Sequence, residues 1–177
     1  NILDIGCNSG YLTSFYAKEF PRSHFIGFDK SKDSILQALK ISNLKKYSNL
    51  CFSHNLDILN KYKFDIICDT QCFNTLKKAD LLVVLDLLKD SLHANIKIIS
   101  VSNLRNEQEA DIFLKLFYKK KLFVQSLTPL FIKSLNGIVV LTKIIFTKKK
   151  IETNYDLNTY FMNLRKKISI VNLFKLN

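Results

Sequence analysis

The sequence predicts an α/β fold, a doubly wound and mostly parallel sheet that closes in a C-terminal antiparallel hairpin. Three observations carry that reading. An apolar strand, Asn1 to Ile5, runs into the turn Gly6-Cys7-Asn8-Ser9-Gly10, which holds two of the chain's 4 Gly. A glycine there permits positive φ and lets a ligand approach the backbone. Strand and helix patterns then alternate, as a parallel sheet with covered faces requires. Finally, two strand-rich runs, Leu122 to Ile132 and Gly137 to Thr147, are separated only by residues 133–136, too few for a crossover, so they pair antiparallel.

Taken in order, residues 10–20 follow the first strand with Tyr11, Leu12, Phe15 and Tyr16 at helical spacing, and Pro21 stops them. These apolar residues are expected to face the sheet. A second strand, His24 to Phe28, ends in Asp29. Ser31 then caps a helix running to Leu44, with Ile35, Leu36, Leu39 and Ile41 as its expected inner face. Leu50 to His54 is a short third strand, and the segment after it is too brief for a long crossover helix. Phe64 to Asp69 is almost continuously apolar, which suits the centre of a parallel sheet. Leu76 to Leu92 reads as helix, Ile96 to Val101 as the fifth strand, and Arg105 to Lys119 as a helix with Ile112, Phe113, Leu116 and Phe117 inward. Beyond the hairpin, Leu157, Phe161, Leu164, Ile168 and Val171 repeat every three or four residues. That spacing makes residues 148–177 an amphipathic extension edged by Arg165, Lys166 and Lys167.

A strand, a glycine turn, a helix, then a strand ending in an acid about twenty residues on is the arrangement that binds a nucleoside, the acid gripping the ribose. The turn reads GxxxG and lacks the third glycine of the dinucleotide fingerprint. It resembles instead motif I of the class I S-adenosylmethionine-dependent methyltransferases, commonly DxGxGxG. Asp4, Gly6 and Gly10 are in register, and Asn8 stands where the middle glycine is usual. Asn tolerates left-handed backbone better than most residues. The stretch FDIICDTQCFNTL resembles the DxGxFHHL-like loop of small-molecule methyltransferases through Asp69, Cys72, Phe73 and Leu76, with Asn74 and Thr75 in place of its two histidines.

The resemblance covers residues 1–147 and implies a Rossmann-like sheet of order 3-2-1-4-5-7-6. It implies S-adenosylmethionine as cofactor, with contacts at Asp4, Gly6, Cys7, Asn8, Gly10, Asp29, Lys30, Asn55, Asp57 and Asp69. Asp29 would bind the ribose hydroxyls, Asp57 the adenine amino group, Asp4 the ammonium and the glycine turn the carboxylate of the methionine portion. Asp69 and Asn74 are the expected catalytic residues, with Asp69 serving either as a general base or as the acid that orders its loop. The residues after the fourth strand contain no [DNS]PP[YF] motif, which argues against methylation of an adenine amino group. A methyl acceptor bearing an oxygen, sulfur or aliphatic nitrogen on a small molecule is expected.

Composition bounds the alternatives. A net charge of +12 suggests an anionic partner, so RNA is the second expected acceptor class. Against it, only Arg22, Arg105 and Arg165 supply the bidentate side chain that reads phosphate best; every other basic residue is Lys. A third reading, from a different class, is a cofactor-binding member without catalysis. The 4 Cys form no CxxC pair and read as structural thiols of a reducing, cytoplasmic protein; His24, His54 and His93 lack ligand spacing, and no metal is expected. No apolar run is long enough to span a bilayer. A chain that opens inside a core strand is expected to have residues upstream of it, and in the resembled family such a segment closes over the cofactor.

Overall fold

The computed structural model describes residues 1–88, 96–104, 106–134, 137–148 and 156–173. The strands are β1 (Ile2–Ile5), β2 (Phe25–Phe28), β3 (Leu50–Ser53), β4 (Ile66–Thr70), β5 (Lys97–Ser102), β6 (Phe123–Ser134) and β7 (Gly137–Thr147). The helices are α1 (Tyr11–Glu19), α2 (Lys32–Lys45), α3 (Ile58–Lys61), α4 (Lys78–Leu87), α5 (Glu107–Lys119) and α6 (Leu157–Leu173), and a 3-10 turn covers Phe73–Thr75. The end of the helix expected from Leu76, 89–92, and the expected first residue of the next helix, Arg105, lie outside the described residues.

The seven strands form one sheet in the order β3-β2-β1-β4-β5-β7-β6. β1 pairs in parallel with β2 and β4, β2 with β3, and β4 with β5, while β7 lies antiparallel to both β5 and β6. The expected sheet and terminal hairpin are therefore both present. The β6–β7 register shifts between Val124 and Ser126, as at a β-bulge.

The larger core packs α4, α5 and α6 against the sheet. Its centre is aromatic: Phe117 stacks on Phe146 with centroids 4.0 Å apart, and Phe113 and Phe73 approach Phe117 at 5.0 and 5.7 Å. α6 joins this side through buried Phe161 and Leu164 and a 3.1 Å hydrogen bond between Tyr160 and Thr142. The side chains of Lys167, Ile168 and Val171, expected to continue its apolar stripe and basic edge, lie outside the described residues. A smaller cluster of Phe25, Ile35, Ala38, Leu50 and Phe52 seals α1 and α2 onto β1 to β3. On that same face the residues of β4, β5 and β7, including Ile66, Ile99 and Ile145, are only half-buried.

Three expected helix faces are corrected. In α1 the buried residues are Thr13, Ser14 and Ala17, whereas Tyr11, Leu12, Phe15 and Tyr16 are 68%, 42%, 49% and 38% exposed. The cause is Asp4: buried in β1, its carboxylate needs a donor, and the Thr13 hydroxyl supplies one at 2.5 Å, which fixes the helix's rotation. In α2 the inner residues are Ile35 and Ala38, with Leu36 and Leu39 exposed. Ala38 lies against the glycine turn, where only a small side chain fits. In α5, Phe113, Leu116 and Phe117 are buried as expected, but Ile112 is half-exposed.

Candidate functional site

The glycine turn shapes the site first. Gly6 and Gly10 have φ of 75° and 71°, and Asn8 between them has 50°. A Cβ at Gly6 would sit 2.5 Å from Cβ of Cys72, and one at Gly10 would sit 2.5 Å from the Phe52 ring. No side chain fits at either position, so β1 leaves the sheet in a turn pressed against the loop after β4 on one flank and against β3 and α2 on the other.

Asp29 ties this turn to the next. Its Oδ2 accepts the Asn8 amide at 2.9 Å and its Oδ1 accepts the Ser31 amide at 2.9 Å. Ser31 caps α2 through Ser34 N at 3.2 Å. An ionised carboxylate offers about four acceptor sites, so two on Asp29 remain for a ligand.

Beside it opens a cleft of about 730 Å³ at the carboxyl ends of β1, β2 and β4. Gly6, Asn8, Asp29 and Lys30 line it, joined by His54 and Leu56 after β3 and by Thr70, Gln71 and Cys72 after β4. α4 supplies an apolar flank of Val83, Val84 and Leu87.

The remaining expected residues stand elsewhere. Asp4 is buried beneath the turn and bonded to Thr13; burial raises its pKa, with the Thr13 hydrogen bond opposing and the Asp29 charge adding to the rise. Cys7 packs with the smaller core, and burial pushes its thiol far up. Gly10 likewise serves packing, and three further amides of the turn are already used: Gly6 and Cys7 donate to the Phe28 carbonyl and Gly10 to that of Cys7. Among the described residues, the Ser9 amide and the first turn of α1 are left to hold an anion. Asn55 and Asp57 turn toward each other: Asn55 Nδ2 donates to Asp57 Oδ2 and the Asp57 amide to Asn55 Oδ1, both at 3.0 Å, so the cleft is lined by His54 and Leu56 instead.

Asp69 also faces inward. It is 1% exposed, with Oδ1 accepting the amides of Cys72 and Phe73 at 2.7 and 2.9 Å and Oδ2 accepting the Ser100 hydroxyl at 2.5 Å. Burial raises its pKa to about 6 against these hydrogen bonds. This is the geometry of the loop-ordering acid, and it holds the carboxylate away from the cleft wall. Asn74 lines a neighbouring cavity. The Cys72 thiol does line the cleft, but burial pushes its pKa to about 12, which keeps it protonated.

His54, Leu56 and the α4 residues escaped the sequence because they reach the cleft only through the fold. Their one local sign is exposure of apolar side chains: Val83 is 57% and Leu56 45% exposed. The described residues include no helix long and apolar enough to cross a membrane.

Solved structures share this architecture at low identity. A SAM-dependent methyltransferase from Methanosarcina mazei aligns with a TM-score of 0.65 and 13% identity over 83% of this chain and 91% of that one. The M1A22 tRNA methyltransferase TrmK of B. subtilis aligns at 0.64 and 16% identity, covering 84% of this chain and 60% of that one. LepI in complex with SAM aligns at 0.63 and 13% over 84% of this chain, which spans only 42% of LepI. At these identities the likeness shows the fold. No curated protein matches the sequence. The model of a methyltransferase domain matches residues 1–155, nearly the whole sequence, and the chain belongs to that methyltransferase family.

Proposed function

We propose that this chain is an S-adenosylmethionine-dependent methyltransferase acting on an oxygen, sulfur or nitrogen atom of a small molecule. The observation that carries the proposal is the open cleft with Asp29 fixed at its rim by two backbone donors. The residues present fit the cofactor. Asp29 has acceptor sites left for two ribose hydroxyls, Leu56, Val83, Val84 and Leu87 offer apolar walls to a flat base, and the start of α1 favours a carboxylate. The volume lies within the roughly 300–1,000 Å³ usual for such ligands.

When bound, the cofactor would supply a methyl group activated by its sulfonium, with Asp29 holding the ribose and the start of α1 the carboxylate. The protein's own work is positional. Asp69 braces residues 72–75 through two amides, and the glycine turn brings β1 close enough for Cys72 to pack on it.

Calorimetry with S-adenosylhomocysteine tests this. Micromolar binding is expected, weakened about ten- to hundredfold in Asp29→Ala, as loss of hydrogen bonds to a charged group implies. Unchanged affinity in the variant would refute the site. RNA is the second acceptor class, favoured by the net charge of +12 and by the exposed Arg165 and Lys166 of α6.

A further inference from the structure

We propose that the methyl acceptor binds in a second cavity of about 650 Å³ between α4 and α5, and that it is a small, mostly apolar molecule carrying one hydroxyl or amino group. This rests on the cofactor reading above. Gln71, Thr75 and Leu76 line both this cavity and the cofactor cleft, so the two share one wall. That wall is strained: Gln71 has φ of 61°, a left-handed conformation that side chains other than Gly seldom take and that concentrates at functional sites.

The cavity's own chemistry sets the ligand class. Leu104, Phe113 and Leu116 form an apolar floor, and Ile112, 49% exposed, is an apolar side chain at its edge that a bound apolar body would cover. Gln71, Thr75, Lys78, Asn103 and Glu109 also line it, and Asn74 supplies the buried polar group. Asn74 is among the residues that line the cavity, and its Oδ1 is buried with no hydrogen-bond partner among the described residues. A buried acceptor without a donor is costly, and the soft terminal torsion of Asn lets the amide present oxygen or nitrogen to a ligand. A hydroxyl or amino group completes it in either orientation.

The full chain, with Ile112→Trp to fill the cavity and Asn74→Leu to remove the amide, tests the assignment by three measurements. Affinity for S-adenosylhomocysteine should stay within about twofold of wild type in both variants, since neither residue lines the cofactor cleft. Phenol, an apolar ring with one hydroxyl, should shift the NMR signals of Ile112, Leu116 and Asn74 in wild type, with at least about fivefold weaker binding in each variant. Label from methyl-labelled S-adenosylmethionine should enter the small-molecule fraction of a cell extract and fall at least about tenfold in Ile112→Trp. Phenol shifts elsewhere or none, label confined to macromolecules, or undiminished labelling by Ile112→Trp would overturn the cavity assignment. Failure of wild type to bind S-adenosylhomocysteine would instead overturn the cofactor reading.

Discussion

Asp29 and Asp69 end strands on either side of β1, yet they meet opposite surroundings. Asp29 keeps acceptor sites facing the cleft, while Asp69 spends both oxygens inside the protein on Cys72, Phe73 and Ser100. Burial raises the Asp69 pKa from 3.8 to about 6, so the folded state holds a proton at pH values where the unfolded chain has lost it. The stabilisation is fully present below 3.8 and is lost as pH rises through about 6. Asp69→Asn keeps the shape and removes the titration. Urea unfolding at pH 4 and pH 7 should show wild type losing on the order of 3 kcal/mol relative to the variant across that interval, taking about 1.4 kcal/mol per pKa unit. A difference that stays flat with pH would contradict the burial of this group.

At the scale of elements, the glycine turn governs how α1 and α2 sit. Gly10→Ala places a Cβ 2.5 Å from the Phe52 ring and 2.8 Å from the Ala38 Cβ, at a φ of 71°. Left-handed strain of about 1–2 kcal/mol adds to overpacking of about 1–3 kcal/mol, so chemical denaturation should report a loss of roughly 2–5 kcal/mol. A loss below about 1 kcal/mol would mean that the turn is looser than described. The same turn explains which parts of the fold were readable beforehand. Strands were, because continuous apolar runs bounded by turn residues mark them directly, as in β4. The inner faces of α1 and α2 were not. Apolar periodicity counts side-chain type, whereas local contacts decide here: Ala38 lies against Gly10, Thr13 bonds Asp4, Ser14 and Ala17 are buried with Thr13 in α1, and the larger Phe15, Tyr16, Leu36 and Leu39 turn outward.

At the scale of the whole molecule, the sheet order collects at one edge residues that are far apart in sequence. Asp29 was readable because its distance from the glycine turn is fixed by one helix and one strand. His54, Leu56 and Val83 were not, since their approach depends on where β3 and α4 dock. Asn55 and Asp57 stand off the cleft lining because a local turn joins their side chains to each other. The net charge is also a property of the whole molecule. If the basic surface serves RNA, filter binding across a salt series will weaken steeply, log K falling by about 0.7 per phosphate contact for each unit of log salt. A slope near that of a single contact is expected for a small-molecule enzyme. The most direct test of the central claim is a crystal structure of this chain with S-adenosylhomocysteine. Ribose hydroxyls within hydrogen-bond distance of the Asp29 carboxylate, with the base against Leu56 and Val83, are the expected result. A ligand bound elsewhere, or a cleft filled by the protein's own side chains, would contradict it.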